Sequence, residues 1–237
     1  MTSILMFSTV SVLLASLALY VSFLTPSAFD SSAAGADQLE SQYIEKAKQT
    51  VFVLDSVSGD AKSLGGELWV SGMSVRDVIE KINEMKTTIH RANSELKGVD
   101  VPSRFSESHV HLVSATDGTI RSFDSLEDAF SKFEELRSKP PLYYTMLILN
   151  SDDTTFYQLS QMFMLNETER VLINDAKLSF ANSILEADYA QSELEMFLST
   201  SELNASAMSQ GVVFYETYRP TAGGCAACSS PINEILK

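Results

Sequence analysis

Few residues in this chain combine the types and the spacing that chemistry needs. Cys225-Ala226-Ala227-Cys228 is the one motif with a chemical reading. Two cysteines at this spacing can close a small disulfide in an oxidising compartment, or lend two thiolates to a metal. Redox catalysis asks for more, namely a thiol at a helix start within a βαβ unit, where the helix terminus lowers its pKa. In this chain the pair follows Gly223-Gly224 and precedes Ser229-Ser230-Pro231, the setting of an exposed tail. The expectation is a Cys225–Cys228 disulfide. So short a loop removes little chain entropy, so the bond should add little to stability. Metal binding completed by another group is the rival reading.

The histidines are His90, His109 and His111. His109-Val110-His111 resembles a ligand pair, but on a helix positions i and i+2 point about 200° apart, so both cannot hold one ion. His109 falls on an apolar seam and reads as a buried, hydrogen-bonded or end-layer residue. His111 follows Glu107 by one turn and reads as its surface partner. A di-iron bundle needs Glu-x-x-His on two helices, and no histidine here has Glu three residues before it. No nucleophile elbow, phosphate-binding loop, dinucleotide fingerprint, His-Glu-x-x-His or EF-hand loop occurs. The chain therefore reads as non-enzymatic, with no cofactor and no assigned metal. Asn166-Glu167-Thr168 and Asn204-Ala205-Ser206 are glycosylation sequons at Asn166 and Asn204.

The elements that must carry these residues are helices. From Ser74 to Lys97, Val75, Val78, Ile82, Met85, Ile89, Ala92 and Leu96 recur at steps of three and four, a heptad seam on one helix face. Ser74 with Asp77 forms a capping-box start, and Gly98 stands where a C′ glycine belongs. Pro102 to Arg137 repeats the pattern with Phe105, His109, Leu112, Thr116, Thr119, Phe123, Leu126, Phe130 and Phe133. Asp117-Gly118 in its middle predicts a kink or two collinear helices, since glycine weakens a helix by about 1 kcal/mol relative to alanine. Leu39–Val57 and Glu167–Thr200 pass the same test. In the latter, Ile173, Phe180, Ile184, Ala187, Leu194 and Leu198 form the seam, Leu178, Ala181 and Leu185 widen it, and Asn166 is the cap. Ser58 to Met73, with Gly59, Gly65, Gly66 and Gly72, reads as a loop whose Trp69 caps one end of the bundle. Pro140-Pro141 ends the third long helix. Leu142–Leu149 and the segment after Asp152 read as two short crossover helices.

The fold class is thus all-α, an up-and-down bundle of about four long amphipathic helices with short crossovers. Residues 38–200 form the bundle and 201–237 an irregular tail. Ahead of it, Ile4–Leu24 is apolar apart from small hydroxyl residues, and the first charge is Asp30. About 21 residues at 1.5 Å each match the hydrocarbon thickness of a bilayer. Residues 1–29 are accordingly a membrane anchor or a signal peptide, and residues 30–37 a small-residue linker. The domain is expected outside the cytoplasm, either membrane-anchored or secreted.

Composition narrows the partners. Of 237 residues, 31 are acidic and 17 basic, a net charge of −14. That argues against nucleic acid, which requires a basic surface, and against docking on anionic lipid. The expected partners are the membrane through residues 4–24 and another envelope protein or a second copy of the chain. The expected work is structural or interactive. A ligand- or metal-sensing bundle acting through a membrane partner is the alternative.

Overall fold

The computed structural model describes residues 33–70 and 72–201. Among these the fold is all-helical, with no strand, and six helices pack together. They are α1 (Ala33–Val70), α2 (Val75–Lys97), α3 (Ser106–Glu134), α4 (Leu142–Leu149), α5 (Asp153–Met162) and α6 (Glu167–Thr200), with a 3₁₀ turn at Ser103–Phe105. Contacts divide the chain into two units between Gln38 and Leu39, and the bundle belongs to the second. Residues 4–24, the Cys225–Cys228 pair and Asn204 lie outside the described residues.

Local chemistry accounts for most of the boundaries. The Ser74 side chain accepts a bond from the Asp77 amide at 3.2 Å, and the Asp77 carboxylate accepts from the Ser74 amide at 2.8 Å. This reciprocal box starts α2. An equivalent box of Asn166 and Glu169, at 3.0 Å in both directions, starts α6. Asp152 accepts from the Thr155 amide at 2.7 Å and starts α5. Gly98 ends α2 as its C-cap, but with a right-handed φ of −89°, so the expected left-handed glycine stop is not used.

One expectation fails for a tertiary reason. The segment Ser58–Met73 is not a loop, because α1 runs through Gly59, Gly65 and Gly66 to Val70, and it already begins at Ala33 inside the expected linker. Buried Val57, Ala61, Leu64 and Leu68 continue the seam of Tyr43, Ala47, Val51 and Leu54. Each buried leucine stabilises by about 1.5–3 kcal/mol, which outweighs about 1 kcal/mol of helix propensity lost per glycine. Trp69 packs against the core, edge-on to Tyr143 on α4.

α3 is one helix through Asp117-Gly118, not two collinear ones. The two residues serve different neighbours. Asp117 accepts from Asn93 at 2.7 Å and from Lys97 at 2.8 Å on α2. Buried Thr116 donates to Asn93 Oδ1 at 2.9 Å, completing that network. Gly118 faces α6, where a Cβ would stand 3.0 Å from Ala190 Cβ and 3.2 Å from Ala190 Cα. Glycine here permits the close approach of two helices.

Polar pairs fix the directions. Lys46–Glu95 and Glu67–Lys81 set α1 antiparallel to α2. Lys86–Asp124 and Lys97–Asp117 set α2 antiparallel to α3. His111–Glu193, Arg121–Glu186 and the buried bond from Ser122 Oγ to the Ser183 carbonyl set α3 antiparallel to α6. Between them lies one core in which Tyr43, Phe123, Phe130, Phe133 and Phe197 are the largest fully buried side chains.

Candidate functional site

α6 is apolar on two opposite faces. Its inner face buries Ile173, Ala176, Phe180, Ala187, Ala190, Leu194 and Phe197. Its outer face exposes Val171, Leu178, Leu185, Tyr189 and Met196, at 54%, 65%, 65%, 42% and 46% of their surface. At 100° per residue these five fall within an arc of about 40° and run about 37 Å along the helix. Leu178 and Leu185, expected to widen the core seam, therefore point into solvent, and Ala181 is exposed with them. The register is decided by Gly118 against Ala190 and Ser122 against Ser183, which turn the small face of α6 inward.

One member of the stripe is held in place. The Tyr189 ring lies over Gly118, its Cδ1 3.1 Å from where a Cβ would be. The Arg121 guanidinium lies 5.6 Å from the ring centroid and also donates to Glu186 at 2.8 Å. A cation over the face of an aromatic ring is attracted by its quadrupole. The aromatic side chain is thus held against α3.

Acids line the stripe. Asp175 flanks one side, and Asp188 and Glu195 flank the other, all exposed. The only basic residues of α6 are Arg170 and Lys177. Arg170 lies over the Tyr157 ring of α5, and Lys177 over Phe156 while donating to the Ser151 carbonyl at 2.7 Å. Both are turned toward the α4–α5 crossover.

The histidines and their neighbours serve structure. The Tyr43 ring stacks on Phe105 at 4.9 Å and lies 5.7 Å from the His109 ring. His109 Nδ1 is buried with no hydrogen-bond partner. Burial pushes the tyrosine pKa up and the histidine pKa down, so both are held neutral. His111 does not pair with Glu107; its Nδ1 lies 2.8 Å from Glu193 on α6. His90 is exposed. Among the described residues, no three His, Cys, Asp or Glu side chains are grouped to hold a metal. Asn166, one of the two sequon asparagines, is exposed and caps α6. A groove of about 370 Å³ between α1 and α2 is lined by Val57, Leu64 and Met85 as well as by Asp60, Lys81 and Glu84.

Comparison with protein-family models, curated proteins and solved structures found no match to this chain. Among the described residues no helix is long and apolar enough to cross a membrane. The outer stripe of α6 is missed in the sequence because Leu178 and Leu185 read as a widening of the core seam. Its signal is the number of apolar positions in Glu167–Thr200, more than one core face accommodates.

Proposed function

We propose that this chain is a non-enzymatic interaction module of the cell envelope. In this reading an up-and-down bundle is carried outside the cytoplasm behind the apolar residues 4–24, which anchor it or deliver it through the membrane. Its docking face is the outer stripe of α6. The observation that carries the reading is the line of five exposed apolar side chains from Val171 to Met196. Large apolar side chains standing singly on a surface need no explanation; five of them aligned on one face of one helix support reading that face as an interaction surface. Tyr189, positioned by Gly118 and Arg121, is the kind of rigid aromatic anchor on which interfaces concentrate their energy.

A photo-crosslinking residue placed at Leu185 in the full chain tests the reading in cells. A discrete adduct is expected from Leu185 and none from the same group at Glu80, which is exposed on α2. Equal labelling from both positions, or none from either, removes the docking face. Protease added to intact cells tests the location: the bundle should be cut while a cytoplasmic control survives.

A further inference from the structure

We propose that the occupant of the α6 stripe is a basic amphipathic helix of a partner protein. The inference rests on the reading of the stripe as a docking face and adds the chemistry of what docks there. The stripe is linear, about 37 Å long, and one side chain wide. Leu178 and Leu185 follow Val171 at steps of seven, and a four-residue step from Leu185 to Tyr189 returns the line to the period of a straight helix. A second helix laid along it can match apolar side chains to the stripe at the same spacing, the ordinary geometry of helix-to-helix recognition.

Charge selects among the helices that would fit. Asp188 and Glu195 on one flank and Asp175 on the other have no base of α6 beside them in the open, because Arg170 and Lys177 are turned to Tyr157, Phe156 and Ser151. A partner with lysine or arginine on both sides of its apolar line meets these acids, and complementary potentials favour it over competitors. The same argument disfavours a second copy, residues 4–24 and an anionic membrane. A second copy sets one acidic α6 against another, in a chain whose net charge is −14. The chain's own residues 4–24 contain no basic side chain, the first being Lys46. An anionic lipid surface is repelled by the flanking acids.

The test uses the full chain in phosphatidylcholine nanodiscs, with empty discs as the control. The probes are two labelled synthetic amphipathic peptides of about 25 residues, the span of the stripe at 1.5 Å per residue. They share leucines at heptad positions and differ only in lysine or glutamate at the flanking positions. The lysine peptide is expected to bind at least tenfold tighter, and to weaken as salt is raised from about 50 to about 200 mM. Leu178→Asp with Leu185→Asp should weaken that binding at least tenfold while the helical circular dichroism is unchanged, since both side chains are exposed. Asp188→Lys with Glu195→Lys should reverse the preference between peptides. Equal binding of both peptides, binding of neither, or a preference for the glutamate peptide overturns the basic helix. So does a Leu185 crosslink whose only product is the chain itself. A crosslink to another protein without the lysine preference leaves the docking face standing and removes only the charge argument; absence of both removes both.

Discussion

Replacing glycine by alanine should have opposite signs at two places in this bundle, and the comparison isolates the contact that turns α6. Gly59 lies in the middle of α1 with nothing within 4 Å of an added Cβ. Gly59→Ala should therefore gain about 1 kcal/mol of helix propensity and raise the thermal midpoint by about 2–4 °C for a domain of this size. At Gly118 the same gain is available, but the Cβ meets Ala190 Cβ at 3.0 Å, Tyr189 Cδ1 at 3.1 Å and the α6 backbone at Ala190 Cα at 3.2 Å. Carbon atoms pack at about 3.5–4.0 Å, so α3 and α6 must separate by several tenths of an ångström. Overpacking of a tight contact costs about 1–3 kcal/mol, so Gly118→Ala should lose about 1 kcal/mol net, lowering the midpoint by a few degrees. Ala190→Gly removes the nearest atom. Thermal and urea unfolding of the two single variants and the double variant should then show a favourable coupling of about 1 kcal/mol. The same displacement should push Tyr189 outward and weaken any partner of the stripe. If Gly118→Ala raises the midpoint as much as Gly59→Ala does, α3 and α6 do not approach this closely, and the register that exposes Leu178 and Leu185 is wrong.

Ile82→Asp and Phe123→Asp should each unfold the bundle, because both side chains are essentially fully buried and an unpaired buried charge costs several kcal/mol against a total of about 5–15; loss of the helical signal at room temperature checks this. Glu169 accepts from the Asn166 and Arg137 amides, which hold its carboxyl below its ordinary value, and the Ser74 and Thr155 amides do the same for Asp77 and Asp152. Groups with depressed folded pKa values stabilise above their unfolded values of about 3.9–4.3 and lose that contribution as pH falls through the folded values. The thermal midpoint should accordingly fall below about pH 4, and Glu169→Gln should flatten part of that slope while costing about 1 kcal/mol of capping at neutral pH. Burial lowers the His109 pKa, so as pH falls through about 6.5 the unfolded chain takes up the proton first and stability declines. His109→Phe should remove that slope, gaining more at pH 5.5 than at pH 8; a difference independent of pH would show that His109 is not held neutral by the fold.

Local sequence chemistry determined much of this molecule. The caps at Ser74 and Asn166 were legible because a side chain and an amide three residues apart can satisfy each other wherever the chain begins a helix. The seam of α2 was legible because every one of its seven positions serves a single face. Leu142–Leu149 is legible as helix because no other segment offers it a partner strand. What periodicity could not supply was the width of the buried face of α6 and the tolerance of glycine. Gly59, Gly65 and Gly66 suggest a loop on propensity alone, and burial of Ala61, Leu64 and Leu68 against the rest of the core overrides it. Asp117-Gly118 suggests a break, until Asp117 is seen to reach Asn93 and Lys97 and Gly118 to admit Ala190. His111 pairs across helices with Glu193 rather than one turn away with Glu107, because the antiparallel docking of α6 brings Glu193 within reach. Along α6 the sequence marked the core line through Ile173, Phe180, Ala187 and Leu194, and the structure buries it. Only the close fit of α6 on α3 left Leu178 and Leu185 outside that core, because Gly118 against Ala190 and Ser122 against Ser183 turn the opposite face of the helix inward.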